Sequence, residues 1–252
     1  MAGVTDDVDD TSWVLSVNDV LILSLDTTTA AGSCALVADG RVLREQAGDP
    51  SVSQAARLPG DLIALLAAQR VELRDVDAFA VGIGPGSFTG LRVGIAAMQG
   101  LAIAMGKPLV GISAFDALAT IASGSRTSSG PEPPHLRVAT WIDAWRGEVF
   151  AALYENGREV EAPSVEPPER LLGRHAAMPP LFTGDGAALH APAIVRALGN
   201  AARFTEPVVP VLAGTMGALA ELALADGARP LPHAIRPLYV RRSDVELARD
   251  RV

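Results

Sequence analysis

The sequence predicts an α/β protein of two lobes, each lobe one copy of a duplicated unit of β-sheet and helices. Short apolar runs closed by turn residues alternate with longer runs of helical spacing, the pattern of strands and helices stacked in layers. The unit then recurs: "LDTTTAAGSCALVADGRV" from Leu25 aligns without gaps to "IDAWRGEVFAALYENGRE" from Ile142. At this constant spacing of 117 residues Asp26 matches Asp143, Ala35-Leu36 matches Ala152-Leu153, Asp39-Gly40 matches Asn156-Gly157 and Arg41 matches Arg158. Each copy reads as a buried strand ending in Asp, a short turn, and a hairpin closed by the Asp-Gly or Asn-Gly pair that suits a type I′ turn.

The first lobe is expected over residues 20–122. Leu21 to Leu25 is a buried strand, and Ser33 to Ala38 and Arg41 to Glu45 flank the Asp39-Gly40 turn. Leu58 to Arg70 has helical spacing after Pro59, with Leu62, Leu65 and Leu66 on one face. Val76 to Gly82 is a short strand, "GIGPGSFTG" follows, and a helix runs on to about Met105, stopped at Lys107-Pro108. "LVGIS" from Leu109 is another buried strand. Residues 123–136 are a Ser/Gly/Pro loop of the kind that separates lobes. The second lobe is expected over 137–242, with a tail over 243–252. Residues 1–19 are acidic, lack the basic start and apolar core of a signal peptide, and read as a flexible extension.

Composition narrows the function. Hydrophobic residues make up 49% of the chain and charged ones 20%, which is core-rich and globular. The net charge of −8 opposes tight binding of nucleic acid by this chain alone, since neutralising phosphates needs clustered Lys and Arg. Cys34 is the only cysteine, which excludes an internal disulfide and a cysteine-based zinc site and fits the cytoplasm. The longest apolar run, Val93 to Gly106, is broken by Gln99 and reads as too short to cross a bilayer, so no membrane contact is expected.

An Asp at the carboxyl end of a buried strand stands where α/β sheets place functional groups. With Asp26 from one half and Asp143 from the other, a cleft between lobes has the logic of the actin, Hsp70 and sugar-kinase superfold. The turn after Asp26, with Thr27 and Thr28, is small enough for backbone N–H groups to approach a phosphate. The matching turn, Ala144-Trp145-Arg146-Gly147, is obstructed by Trp145. The glycine block fits no dinucleotide fingerprint, P-loop or nucleophile elbow. Gly84, Gly86 and Ser87 read as a strand-to-helix turn with Ser87 or Thr89 capping the helix. Its open N-terminus suits an anion, but a tight turn that lets the helix pack close to the sheet explains the same spacing.

The helix after the block has two apolar faces. Leu91, Ile95, Met98, Leu101 and Met105 form one, and Ala96, Gly100 and Ala104 form a second face of small residues beside Gln99. Glycine inside a helix costs roughly 1 kcal/mol against Ala, so a close neighbour is expected. This helix and the Leu58 to Arg70 helix are therefore expected to form a partner face, lined by Leu62, Leu65, Leu66, Leu91, Ile95, Ala96, Met98, Gln99, Gly100 and Ala104.

"SLDTTTAAGSCAL", "VGIGPGSFTGLRVGIAAMQGLA", "GISAFDALA", "IDAWRGEVFAALY", "TGDGA" and "PLYVRR" together resemble the TsaB (YeaZ) family, from about Leu21 to Arg242. The resemblance implies a two-lobed actin-like ATPase fold, with Gly184 and Gly186 of "TGDGA" joining the cleft. It also implies a role in forming threonylcarbamoyladenosine beside the anticodon of tRNA, as the non-catalytic partner of the paralogue TsaD and the ATPase TsaE. Such proteins form homodimers when alone, and reach tRNA only through the complex. No cofactor is then required by this subunit, while ATP or ADP belongs to the assembled complex. Older labels call the family M22 glycoproteases after the paralogue, whose metal is held by a His-x-x-x-His pair. No histidine stands between Ser51 and Leu66, so neither a metal nor proteolysis is expected. The competing reading is a free-standing actin-like ATPase or small-molecule kinase using Asp26, Asp143 and the glycine block.

Overall fold

The computed structural model describes residues 20–124 and 136–240. The extension expected over 1–19, most of the loop over 123–136, Arg241, Arg242 and the tail over 243–252 lie outside the described residues. The first half runs β1 (Ile22–Asp26), β2 (Ser33–Ala38), β3 (Arg41–Ala47), α1 (Gln54–Ala68), β4 (Ala78–Gly84), α2 (Phe88–Met105), β5 (Leu109–Ser113) and α3 (Ala114–Gly124). The second runs β6 (Arg137–Asp143), β7 (Val149–Glu155), β8 (Arg158–Glu166), α4 (Pro168–His175), β9 (Leu181–Thr183), α5 (Asp185–Leu189), α6 (Ala191–Leu198), β10 (Arg203–Phe204) and α7 (Ala213–Ala225).

The duplication is present strand for strand. One sheet has the order β3-β2-β1-β4-β5 and the other, read from its opposite edge, β8-β7-β6-β9-β10. In both, the first strand pairs antiparallel with the second and parallel with the fourth. Both hairpins close on two residues of positive φ, Asp39 at 52° with Gly40 at 69°, and Asn156 at 50° with Gly157 at 76°. These are the dihedrals of a type I′ turn.

Helices fill three layers. α1 and α2 cover the outer face of the first sheet, with Leu58, Leu62, Leu65, Ile95 and Met98 buried against Leu23 and Phe79. The outer face of the second sheet is covered by α4, α5 and α6 around Trp141 and Phe182. Between the sheets lie α3 and α7, in one core that joins Phe115 and Met216 to residues of both halves. α3 packs between β4 and β5 of the first sheet and β6 and β9 of the second, while α7 follows the second sheet in the chain and lies across β1 to β5. Two glycines allow this, because a Cβ on Gly214 or Gly217 would collide with Val42 or Val37 of the first sheet.

The start of α1, and the reading of the apolar run in α2 as too short for a bilayer, differ from the sequence reading. α1 begins at Gln54, before the expected start, because Pro59 sits inside the helix on its exposed side and does not open it. α2 spans 18 residues at a mean hydropathy of 1.4, long and apolar enough by length and composition to cross a membrane. Here its Leu91, Ile95, Met98 and Ala102 are buried against the protein's own sheet.

Candidate functional site

The carboxylates that end β1 and β6 each fold the turn that follows. Asp26 Oδ1 accepts from the Thr28 N–H at 2.8 Å and from the Thr28 hydroxyl at 2.6 Å. Asp143 Oδ1 accepts from the Trp145 N–H at 2.8 Å. The same side-chain bond to the residue two positions on thus closes both turns. Beyond it they diverge. Thr27 and Thr28 are buried, whereas Trp145 and Arg146 stand at φ 56° and 58°, the left-handed region that bulky residues rarely adopt, with the Trp145 side chain exposed.

The glycine block packs against the first of these turns. Gly86, Gly90 and Gly94 recur every fourth residue and form one ridge at the start of α2. A Cβ on Gly86 would collide with the Thr28 carbonyl, on Gly90 with the Thr27 carbonyl, and on Gly94 with the Thr27 side chain. The Ser87 N–H donates to the Thr28 carbonyl at 2.9 Å. Ser87, not Thr89, caps α2, its Oγ accepting from the Gly90 N–H at 3.2 Å. Gly84 faces Leu91 and the Leu238 carbonyl instead. Of the two explanations the spacing allowed, the tight turn is present: the ridge holds Thr27 and Thr28 of the chain itself.

The second lobe repeats the device in smaller form. Gly184, at φ 105°, presses on the Trp141 carbonyl, and Gly186 on the Ile142–Asp143 peptide. Asp185 Oδ1 accepts from the Asp143 N–H at 3.0 Å and from the Gly186 N–H at 2.9 Å. At the start of α7 the Gly214 N–H donates to Glu45 Oε1 at 2.6 Å and the Ala213 N–H to Ser33 Oγ at 3.1 Å.

Electrostatics follow from this burial. Loss of water pushes the Asp26 carboxyl up to about 6, with the charges of Asp185 and Glu45 adding to the rise and the two Thr28 bonds opposing it. Burial likewise raises Asp185 and Glu45. A nucleotide phosphate needs free N–H groups at helix starts and an excess of positive charge. The starts of α2 and α7 are bonded to the chain's own Thr28, Ser87, Ser33 and Glu45, and the charges acting on Asp26 are carboxylates. The Gly90, Ala213 and Gly214 N–H groups are therefore not open to a phosphate, while Thr27 Oγ1 is buried in the turn without a partner among the described residues. Among the described residues no cluster of His, Cys, Asp and Glu is placed to hold a metal ion.

The residues expected at a partner face divide. Leu62, Leu65, Leu91, Ile95 and Met98 are buried core, a correction: the larger apolar stripe of each helix is consumed by the sheet. Leu66 packs partly buried on the same core. Gln99 is a tether, its Nε2 donating to the carbonyls of Pro232 at 2.9 Å and Ile235 at 3.1 Å. Ala96, Gly100 and Ala104 are exposed, and a Cβ on Gly100 would meet open space. Sequence reasoning missed Ile63 and Ile103, which are 68% and 59% exposed. On α1 the signal was there, in Gly60, Ile63, Ala64 and Ala67 at helical spacing opposite the leucines, all exposed.

Two α/β lobes of one strand order, with helices between and outside the sheets and an Asp closing the first strand of each, define an actin-like fold. The family model described as "TsaD: tRNA N6-adenosine threonylcarbamoyltransferase" matches residues 53–247. YeaZ from Pseudomonas aeruginosa superposes with a TM-score of 0.66 and is 31% identical, covering 87% of this chain and 99% of that one. The Escherichia coli tRNA threonylcarbamoyladenosine biosynthesis protein TsaB is 38% identical over 148 residues, 56% of this chain and 61% of that protein. The uncharacterized protein ML0378 of Mycobacterium leprae is 31% identical over 230 residues, 90% of this chain and 56% of that protein. The chain thus spans less than two thirds of the length of these two curated relatives. It belongs to the TsaB (YeaZ) family.

Proposed function

We propose that this chain is a non-catalytic partner subunit in the formation of threonylcarbamoyladenosine beside the anticodon of tRNA. Its partners are a TsaD-type paralogue and the ATPase TsaE, and a second copy of itself when alone. The carrying observation is the exposed apolar layer of α1 and α2, where Ile63 and Ile103 stand out beside Ala96, Gly100 and Ala104. Apolar surface gathered in this way marks an interaction site, and small side chains let a facing helix come close. The cleft supports the same reading, since the Gly90, Ala213 and Gly214 N–H groups at its helix starts already have acceptors within the chain. The subunit itself needs no nucleotide, ATP or ADP acts elsewhere in the complex, and tRNA is reached through the complex in the cytoplasm.

Depletion of the chain from its host, with threonylcarbamoyladenosine in bulk tRNA measured by mass spectrometry, tests this. The modification should fall, return with the wild-type gene, and fail to return with Ile63→Asp, which should no longer co-purify with the paralogue. Unchanged modification on depletion rejects the reading. Steady ATP turnover by the purified chain, abolished by Asp26→Asn, would favour a free-standing ATPase instead.

A further inference from the structure

α2 and the segment that returns along it, residues 227–240, carry Arg92, Arg229, His233 and Arg236 and neither Asp nor Glu, in a chain of net charge −8. Gln99 fixes the register through Pro232 and Ile235, and the Leu238 N–H donates to the Ile83 carbonyl at 2.7 Å. Tyr239 is thereby set beside the first turn of α2. Its ring centroid lies 5.5 Å from that of Phe88 at a tilt of 33°. The Arg92 guanidinium stacks 3.8 Å from the Phe88 ring centre, and its Nε donates to the Tyr239 hydroxyl at 3.3 Å. Both rings stay open to solvent, Phe88 at 43% and Tyr239 at 47%; Arg92 is exposed beside them, and Arg236 is exposed three residues before Tyr239, its Nη1 donating to the carbonyls of His233 and Ile235.

Exposed rings beside a planar cation stack on unpaired bases, and flanking arginines meet the backbone. A protein partner would have to bring carboxylates to such a strip, whereas RNA brings a phosphate with every nucleotide. We infer that this strip contacts single-stranded RNA, with Phe88 and Tyr239 stacking a base and Arg92 and Arg236 meeting phosphates. The inference rests on the tRNA reading above and adds the place where the RNA touches this chain. Two cations make a weak site, consistent with a chain whose overall charge opposes RNA until a complex forms.

The test uses the full chain assembled with its TsaD-type partner, and a fluorescent RNA stem-loop against a fully paired duplex of equal length. Phe88→Ala with Tyr239→Ala should weaken stem-loop binding about tenfold and leave the duplex unchanged. Arg92→Gln with Arg236→Gln should lower the salt slope by about 1.4, the share of two phosphates on a single strand. Melting temperature should hold in both, since these side chains are exposed, and co-purification with the partner should hold because neither variant alters Ile63, Ala96, Gly100, Ile103 or Ala104 of the proposed partner face. Stem-loop binding equal to wild type in both variants overturns the inference, as does loss of the partner, which would make the strip a protein contact. Wild-type complementation of depleted cells separates the two ideas: if it fails, the proposed function falls first. If it succeeds while both variants bind RNA normally, only the strip is misassigned.

Discussion

A methyl group on Gly94 would stand inside the Thr27 side chain, so the turn after β1 is pressed against the second turn of α2. Two opposed effects decide what Gly94→Ala does. Helix propensity favours Ala by about 1 kcal/mol, while overpacking a fixed neighbour costs about 1–3 kcal/mol. Thr27 is fixed, since Asp26 and Thr28 bind its turn and Gly90 sits under its carbonyl. A net loss is therefore expected, up to about 2 kcal/mol, at about 2–4 °C in Tm for each kcal/mol in a chain of this size. Adding Thr27→Ala removes the colliding atoms, and the double variant should recover part of the loss. Melting curves of both singles and the double decide it; a Gly94→Ala protein as stable as wild type would show that turn and helix are not locked.

Asp26 is expected to make stability depend on pH. Its carboxyl binds a proton more tightly folded, at about 6, than at the ordinary 3.8. The stability it contributes is therefore complete below about pH 4 and is lost as pH rises through 6. The rise corresponds to about 3 kcal/mol. Asp26→Asn keeps an oxygen for the Thr28 bonds and carries no charge. Its stability relative to wild type should increase between pH 4 and 7 and then level off, as read by denaturant unfolding across that range. A difference that does not change with pH would mean that Asp26 titrates normally in the folded chain.

Glu45 links the two halves through one hydrogen bond, from the Gly214 N–H at 2.6 Å. Glu45→Ala leaves that helix-start N–H without its acceptor, a loss worth about 0.5–2 kcal/mol at a helix N-terminus. Glu45→Gln retains an acceptor and sheds the charge that burial penalises, so it should lie close to wild type. Equal Tm values for the Ala and Gln variants would show that the bond contributes nothing.

What the sequence made legible was local. The Asp that ends each first strand and the Asp-Gly and Asn-Gly turns are signals written within some twenty residues of each copy, and the structure carries all of them. The occupant of the glycine ridge was not legible, because Thr27 and Thr28 reach Gly86, Gly90 and Gly94 only after β4 has paired with β1. Periodicity showed that α1 and α2 have apolar faces but not which layer covers them, so buried leucines were assigned to a partner. The crossing of α7 onto the first sheet is likewise settled by Gly214 and Gly217 meeting Val42 and Val37, contacts far apart along the chain.

Gly100 differs from Gly94 in having no heavy atom near the place of a Cβ. The same helix thus offers a matched pair: one glycine required by the fold, the other free within the subunit. Gly100→Leu should leave the isolated fold intact, or stabilise it by up to about 1 kcal/mol through helix propensity. Against a facing helix the added side chain overpacks, at about 1–3 kcal/mol, which is roughly tenfold to a hundredfold in association. Light scattering should therefore show weaker self-association, and pull-down with the TsaD-type paralogue should weaken in parallel, while the melting temperature does not fall. Were the variant to melt early, Gly100 would be packed within its own lobe. Were it to melt normally and associate as before, alone and with the paralogue, the face beside Ile63 and Ile103 would not be the interface.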